Sequence, residues 1–227
     1  MKKAIIQYLE QLQVSGITEL YRTKTSKHSD SDSAIAFADK AEVLAEKKEA
    51  YKDCRKCQLW TGRDKFVYGE GNPEAVCMVI GEGPGAQENL QGRPFVGEAG
   101  HLLDKMLIAI KIKRDEVYIA NIVKCRPPNN REPEQVERLA CLPYLMEQIE
   151  IIQPRIFLLM GRVAAQTLLQ SNQPMKVLRE QPHDFLGRQA YVTYHPAALL
   201  RNPDWKKEAW IDLQKFQVVY TALQQET

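Results

Sequence analysis

The sequence predicts an α/β protein in which a mostly parallel sheet is covered by helices on both faces. From residue 54 onward, short apolar runs alternate with longer segments that have helical spacing. This alternation is typical of β–α units, whose parallel strands are buried on both sides. A length of 227 residues with 44% hydrophobic residues is typical of one sizeable domain with an appendage.

The first half of the predicted domain contains two strands and two helices. Residues 75–80 form a short apolar run that ends at a glycine, which predicts a buried strand. Residues 99–110 have helical spacing, and residues 117–123 predict the second strand. A long helix is predicted over residues 134–152, because prolines bound this segment on both sides.

The second half repeats the pattern without an internal sequence repeat. Residues 155–160 predict a third strand, which Gly161 closes, and a helix follows through Leu169. Residues 190–194 predict the fourth strand, and residues 205–223 predict a closing helix. The predicted sheet therefore has four strands, each connected to the next through helical segments.

Residues 1–50 differ from the rest and predict a helical extension with a flexible polar linker. Four apolar residues near the N-terminus have helical spacing, and residues 23–33 contain no apolar residue at all. Ser33 is a candidate N-cap for a second helix over residues 34–51. We expect no chemistry from this extension and place the functional domain in residues 51–227.

Charge and hydropathy narrow the classes of partner. The formal net charge is +2, so contact with nucleic acid requires local basic patches. No apolar stretch approaches the roughly 20 residues that span a bilayer, and the N-terminus lacks the apolar core of a secretory signal. Five cysteines without such a signal favour a reducing cytosol over a disulfide framework. We expect a cytoplasmic monomer without membrane contact.

Four cysteines form a pattern typical of metal ligation. Cys54 and Cys57 are a C-x-x-C pair, and Cys125 and Cys141 follow far downstream with 15 residues between them. A close pair joined by a distant pair is how a chain wraps a metal centre. Zinc and an iron–sulfur cluster both accept four thiolates, and buried small residues or a thiol redox pair are alternatives. Cys77 lies in an apolar run and is interpreted as a core residue.

Three unusual polar segments each follow a predicted strand, at residues 81–97, 121–131 and 195–203. Loops beyond the carboxyl ends of strands in open α/β sheets converge on the ligand crevice, so we expect the three segments to meet in one pocket. The first contains three glycines in five residues, which permit close approach of the backbone to a ligand. Its carboxylates, Glu82 and Glu88, are candidates for positioning water or accepting a proton.

The second segment begins with Asn121, which interrupts an otherwise apolar strand. Burying its amide unpaired costs about 1–3 kcal/mol, so either nearby backbone or the edge of a bound base must satisfy it. Lys124, Arg126 and Arg131 surround two prolines and suit phosphate contacts, although a solvated charged loop explains them almost as well.

The third segment carries an imidazole at a strand end. His195 precedes a proline that fixes the local backbone, which suits a hydrogen-bond donor. Leu199 and Leu200, followed by Arg201, suggest a wedge beside a phosphate anchor, or else two leucines that cap the core.

Taken together, these segments resemble the iron–sulfur, type-4 uracil-DNA glycosylases, from about Lys52 to Tyr220. The resemblance rests on CRKC at 54–57, GEGPGAQENLQGRPFVGEAG at 81–100, VYIANIVKCRPPNNR at 117–131, Cys141, and YHPAALLRNP at 194–203. It implies an α/β/α sandwich that hydrolyses the bond between uracil and deoxyribose in DNA, releasing uracil and leaving an abasic site. It also implies a [4Fe-4S] cluster, chiefly structural, on Cys54, Cys57, Cys125 and Cys141.

The resemblance assigns roles in the pocket. Phe95 is expected to stack on an extruded uracil, and Asn121 to accept from N3–H and donate to O4. His195 is expected to donate to O2 as negative charge builds there. Glu88 is favoured for positioning the water. Glu82 is expected to shape the pocket together with the neighbouring turn residues Gly83 and Pro84. Contacts with DNA are expected from Arg126, Leu199 and Arg201.

Two alternatives differ in class from this enzyme. One is a protein that holds uracil-containing DNA without catalysis, or traps it covalently through a histidine. Trapping relatives carry an inserted basic loop just before that histidine, and residues 191–195 contain no such insertion. The other is a zinc-stapled scaffold, which metal analysis separates from an iron–sulfur protein because zinc gives no broad visible absorption.

Overall fold

The structure, a computed structural model, describes residues 40–226. The predicted N-terminal helix, the polar linker and the start of the second helix lie outside the described residues. The rest of the second helix is α1 (Lys40–Tyr51), which packs on the long helix through buried Leu44 and a Lys47–Glu147 ion pair of 2.6 Å. The domain boundary between residues 50 and 51 stays a prediction.

Six strands form one sheet. They are β1 (Glu70–Gly71), β2 (Cys77–Gly81), β3 (Tyr118–Asn121), β4 (Ile156–Met160), β5 (His183–Phe185) and β6 (Arg188–Thr193). Their order in the sheet is β1-β3-β2-β4-β6-β5. The four predicted strands pair in parallel, and short antiparallel strands border them at both edges. The mostly parallel sheet is therefore confirmed, with edge strands too short to leave a sequence pattern.

Helices cover both faces of this sheet, which gives the three-layer α/β/α fold that was expected. The helices after α1 are α2 (Ala86–Gln91), α3 (Glu98–Ala109), α4 (Gln135–Ile152), α5 (Arg162–Leu169), α6 (Met175–Leu178), α7 (Pro196–Arg201) and α8 (Lys206–Gln225). Helices α3, α7 and α8 pack against one face of the sheet, on side chains such as Val79 and Leu158, and α5 contacts β2 and β4. Short 3₁₀ turns occupy Gln58–Gly62, Arg114–Glu116, Pro128–Asn130 and Pro203–Trp205.

The predicted helices α3, α4, α5 and α8 are present nearly at their predicted bounds, whereas α2 and α7 lie inside segments interpreted as loops. Both are six residues long, which is too short for a 3.6-residue period to be visible in the sequence. Among the described residues, no helix combines the length and apolar character needed to cross a membrane.

Strand register positions the polar segments. Gly81, the last residue of β2, pairs with Asn121, the last residue of β3. The parallel neighbour β4 brings β6 alongside, so the carboxyl ends of all four strands meet at one edge of the sheet. The segments that begin at residues 81, 121 and 195 therefore start side by side.

Helix α3 approaches the preceding loop so closely that only glycine fits at position 100. A Cβ atom there would lie 2.0 Å from the carbonyl oxygen of Phe95 and 2.1 Å from its carbonyl carbon. Both are backbone atoms, which cannot rotate away. Phe95 itself has a φ of 50°, an uncommon conformation for a bulky residue. The close approach of α3 thus helps to hold Phe95 in this conformation.

Replacing Gly100 by alanine is expected to destabilise the domain by about 1–3 kcal/mol, because the added methyl group overpacks a backbone contact. The midpoint of chemical denaturation measures this change. Gly62→Ala is the matched control, since a Cβ at Gly62 has no heavy atom within 4 Å. Equal midpoints for the two variants would contradict the packing described for α3.

Candidate active site

Phe95, Asn121 and His195 converge around the end of β2. A Cβ added to Gly81 would lie 2.5 Å from Asn121 Oδ1 and 2.6 Å from Phe95 Cζ, so both side chains reach the same point. The rings of Phe95 and His195 are 5.5 Å apart between centroids and inclined by 30°. The structure therefore brings together an aromatic ring, an amide and an imidazole that the sequence placed on three separate segments.

The amide of Asn121 carries an unpaired acceptor. Asn121 is 2% exposed, and within residues 40–226 its Oδ1 atom has no hydrogen-bond partner. Leaving a buried polar atom unpaired costs about 1–3 kcal/mol, so native proteins rarely keep one without a role. No protein group within residues 40–226 satisfies this oxygen, so it is able to accept a hydrogen bond from a ligand that enters the pocket.

The imidazole of His195 is held as a neutral donor. Its Nδ1 atom accepts a hydrogen bond of 3.2 Å from the backbone N–H of Ala197, at the start of α7. Desolvation lowers the pKa of His195 to about 4, and the positive charge of Arg201 lowers it further in the same direction. The ring is therefore neutral at pH 7, and since Nδ1 accepts, the proton is on Nε2.

The carboxylate of Glu88 is engaged by the backbone of its own loop. Its Oε1 accepts from Val96 N at 2.8 Å and from Gly97 N at 2.9 Å, and its Oε2 accepts from Gly85 N at 3.1 Å. These three bonds tie the two sides of the Phe95 loop together. A carboxylate occupied in this way is poorly suited to activate water, which argues against the expected role of Glu88.

The carboxyl group of Glu82 has a strongly raised pKa. Burial raises the pKa of its carboxyl to about 7, and the negative charge of Glu132 adds to this effect. Arg162, Arg138 and Arg201 act in the opposite direction. Glu82 therefore titrates near neutral pH, as a proton acceptor working at that pH requires.

The remaining candidates lie around this centre. Gly83 packs close to Val123, since a Cβ there would lie 2.6 Å from Val123 Cγ2, and Pro84 is buried in the turn between β2 and α2. Arg126 is partly exposed, and its Nε donates to Asn130 Oδ1 at 2.9 Å. Arg201 is exposed at the end of α7.

The assignment of Leu199 to DNA contact needs correction. Leu199 is 1% exposed and belongs to the core cluster beneath α7, so its side chain is not available to DNA. Its neighbour Leu200 is 42% exposed and points away from that core. The sequence offered both leucines as a pair, and a helix of six residues separates them onto different faces.

Comparison with known proteins agrees with this geometry. Residues 68–214, about two thirds of the chain, match the uracil DNA glycosylase superfamily. The chain belongs to this superfamily. It is 42% identical over 177 residues to the Type-4 uracil-DNA glycosylase of Sulfurisphaera tokodaii, covering 74% of this chain and 80% of the relative.

Two further relatives have the same description. The Type-4 uracil-DNA glycosylase of Saccharolobus solfataricus is 44% identical over 173 residues, which cover 72% of this chain and 80% of the relative. That of Pyrobaculum aerophilum is 43% identical over 176 residues, covering 74% and 90%. The resemblance to the type-4 family that the motifs indicated is confirmed.

In this type-4 chain, three of the four cysteine sulfurs accept hydrogen bonds from donors that suit thiolates. Cys54 Sγ accepts from Tyr144 OH at 3.0 Å, Cys125 Sγ from Arg63 Nη1 at 3.4 Å, and Cys141 Sγ from Lys124 N at 3.2 Å. Hydrogen bonds to sulfur are among the features that tune a bound cluster.

The four thiols also influence one another. Burial is the first cause that raises the pKa of Cys57, Cys125 and Cys141, and in each case other cysteines of the set raise it further. In residues 40–226, no group of three or more His, Cys, Asp or Glu side chains forms a metal-ion site. Hydrogen bonds to three of these sulfurs and the electrostatic interaction among the cysteines are a chemistry that suits a group bound through thiolates.

Two arginines that the sequence did not single out support the pocket of this family member. Arg114 Nη2 donates to the carbonyl oxygen of Pro94 at 2.6 Å and pairs with Glu70 and Asp104, which fixes the backbone next to Phe95. Arg179 forms two hydrogen bonds with Asp212, which in turn accepts from Thr193. The partners of both arginines are distant in the sequence, so no local pattern could have indicated their roles.

Replacing Cys141 by serine is expected to abolish the broad visible absorption of an iron–sulfur protein, because one of its four thiolates is lost. Absorption spectra and iron analysis of the purified protein measure this. Cys77→Ala is the matched control, since Cys77 is fully buried in β2, away from the proposed ligands. Colourless wild-type protein that contains zinc, or equal loss of iron in both variants, would contradict the ligand set.

Proposed function

We propose that this chain excises uracil from DNA by hydrolysing the N-glycosidic bond, which releases free uracil and leaves an abasic site. The observation that carries the proposal is the buried, unpaired oxygen of Asn121 beside the rings of Phe95 and His195. The type-4 relatives named above are uracil-DNA glycosylases, which supports the same reaction for this enzyme.

Recognition follows from the atoms of the base. A base inside a duplex is out of reach of the pocket, so the nucleotide is extruded at a cost of a few kcal/mol. Phe95 then stacks on the ring, while Asn121 Oδ1 accepts from N3–H and its amide nitrogen donates to O4. Cytosine has an acceptor at N3 and a donor at position 4, so the same amide leaves two buried polar groups unpaired and rejects it.

Bond cleavage places negative charge on the departing uracil, largely on O2. His195 is neutral and carries its proton on Nε2, so it donates a hydrogen bond to O2 without adding a full positive charge. Because the backbone N–H of Ala197 fixes the ring orientation, this donor is in place before the charge develops. Gly83 and Pro84 complete the turn beside the pocket.

We assign the attacking water to Glu82 rather than to Glu88. The carboxylate of Glu88 is occupied by three backbone N–H groups, whereas Glu82 titrates near pH 7 and lies within the electrostatic influence of Arg201. In its charged form Glu82 accepts a proton from water as the sugar loses its bond to the base.

DNA contact is assigned to the rim of the pocket. Phosphate contacts are assigned to Arg126, which is partly exposed, and to Arg201, which is exposed, and exposed Leu200 takes the role of the wedge that enters the stack. The N-terminal extension has no role in this proposal, and the monomeric state and the cytoplasmic location stay predictions from the sequence.

We propose that Cys54, Cys57, Cys125 and Cys141 hold a [4Fe-4S] cluster. When bound, this group supplies a covalent crosslink between segments that are distant in the sequence. The residues that it joins are the C-x-x-C segment, the loop after β3 and helix α4. Since Cys125 lies four residues after Asn121, a fixed position for Cys125 also limits the motion of the pocket segment.

Incubation with oligonucleotides that contain one uracil, single- or double-stranded, followed by alkali treatment, tests the reaction. Strand scission only at uracil is expected. A protein–DNA adduct that persists under denaturing conditions would instead indicate covalent trapping, and intact DNA bound tightly at uracil would indicate a non-catalytic binding protein.

His195→Ala is expected to lower the single-turnover excision rate by roughly 10²–10³, since an oxyanion donor is lost. Asn121→Ala is expected to lower kcat/KM by about tenfold or more, since the base edge loses its partner. The controls are His101→Ala and Asn172→Ala, both at exposed positions. Near-normal excision by the pocket variants would refute these roles.

The excision rate is expected to rise as the pH increases through about 7, because the charged form of Glu82 is the active one and burial raises its pKa to about 7. Glu82→Gln should remove this rise and lower the rate. Glu132→Gln should shift the rise to lower pH, because it removes a negative charge that raises the pKa of Glu82. An unchanged pH profile in both variants would show that a group other than Glu82 accepts the proton from water.

A further inference from the structure

An exposed tryptophan stacks on Tyr194, the residue that directly precedes the proposed oxyanion donor. Trp205 ends the 3₁₀ turn Pro203–Trp205 and is 39% exposed. Its ring stacks on Tyr194 with centroids 4.8 Å apart and an angle of 22°. Tyr194 directly precedes His195, and the turn that carries Trp205 contacts α7, the helix that begins directly after His195.

The ring of Tyr194 is fixed from its other side. The guanidinium carbon of Arg179 lies 4.1 Å from the ring centroid, and Tyr194 OH donates to Glu208 at 2.9 Å. An aromatic ring has two faces, and two groups this close to its centre must occupy opposite faces. Arg179 is itself held by Asp212 through bonds of 2.6 and 3.1 Å.

The result is a three-layer stack of guanidinium, phenol and indole, anchored at its buried end and exposed at its outer end. A surface tryptophan in a mobile setting loses conformational entropy when it contacts a ligand. Here the ring is already supported from beneath, so a flat ligand that covers its outer face meets a preorganised surface. Nothing in the excision chemistry derived above uses this surface.

We propose that Trp205 is a stacking platform for a DNA base that flanks the extruded uracil. The inference rests on the proposed function only in taking DNA as the ligand. Stacking on a fixed aromatic ring is available to every base, so the contact is independent of sequence. It would stabilise the opened strand beside the wedge residue Leu200.

Charge around the platform favours a nucleic acid over a protein partner. Arg201, Lys206 and Lys207 are exposed on the elements that flank Trp205. The nearby acid Glu208 is occupied by Arg179 and Tyr194, which leaves Asp204 as the exposed acid in the same stretch of chain. The surface is also continuous with α7, which carries Leu200 and Arg201.

The first test measures equilibrium binding to a uracil-free oligonucleotide with a tetrahydrofuran abasic analogue, single- and double-stranded, by fluorescence anisotropy. Trp205→Ala is expected to weaken binding between about 5-fold and about 100-fold. The dependence of affinity on salt should not change, since no phosphate contact is lost. Trp210→Ala is the matched control, because Trp210 is 41% exposed on α8.

The second test observes the ring directly. The chain has three tryptophans, so the double variant with Trp60→Phe and Trp210→Phe leaves Trp205 as the emitting residue. Its emission is expected to be quenched when the abasic-analogue DNA binds. The companion variant with Trp60→Phe and Trp205→Phe, which keeps Trp210, should show little change. Unchanged emission from Trp205 on saturation with DNA would overturn the proposal.

Kinetics separate stacking from an indirect effect through Tyr194. If the platform binds a flanking base, Trp205→Ala raises KM for uracil-containing DNA and leaves kcat close to wild type, and Trp205→Phe restores part of the affinity. A fall in kcat without a change in KM would mean that Trp205 acts through Tyr194 on His195, which overturns the platform.

The two proposals fail separately. If the protein binds the abasic-analogue DNA through Trp205 but releases no uracil, the stacking role of Trp205 is supported and the proposed excision activity is refuted. If the protein excises uracil while Trp205→Ala binds that DNA as tightly as wild type does, the excision activity is supported and the stacking role of Trp205 is refuted.

Discussion

A single carboxylate, that of Glu88, accepts hydrogen bonds from backbone N–H groups on both sides of the loop that carries Phe95. Charge-assisted bonds of this kind are stronger than neutral ones. They hold the loop in place. Helix α3 also packs against the loop at Gly100, and Arg114 donates a hydrogen bond to the carbonyl oxygen of Pro94. These contacts together hold Phe95 at its positive φ.

The pocket that results is built before a ligand arrives. Parallel pairing between β2 and β3 places Asn121 beside Gly81, and the absence of a side chain at Gly81 lets Asn121 and Phe95 meet. His195 is oriented by the first turn of α7. The unpaired oxygen of Asn121 destabilises the folded domain. It also leaves a site whose polar groups need no rearrangement to bind a flat, hydrogen-bonding ligand.

The sequence indicated the parallel strands and long helices, because apolar runs and helical spacing extend over enough residues to be distinctive. It also indicated which segments converge, since three polar stretches follow parallel strands. It did not indicate the function of Glu88, because a carboxylate that bonds to backbone eight residues away has the same sequence appearance as one that faces a pocket. Leu199 and Leu200 likewise differ only through α7, a helix too short to have a visible period.

The side chains that act through contacts distant in the sequence could not be predicted, for a different reason. Arg114 and Arg179 act through contacts that span 20 and 33 residues, and Trp205 gains its position by stacking on Tyr194. Such contacts depend on how the layers pack, which local patterns do not encode. The four cysteines are a different case, because the metal ligation proposed for them leaves a recognisable spacing even when the ligands come from distant segments.

Calorimetric titration of the purified protein with free bases tests most directly whether a fixed, unpaired acceptor recognises the base edge. We expect 1-methyluracil, which keeps N3–H, to bind as uracil does, and 3-methyluracil, which lacks this donor, to bind about tenfold more weakly or worse. Equal affinities for 1-methyluracil and 3-methyluracil would show that Asn121 does not read N3–H and would contradict the proposed pocket.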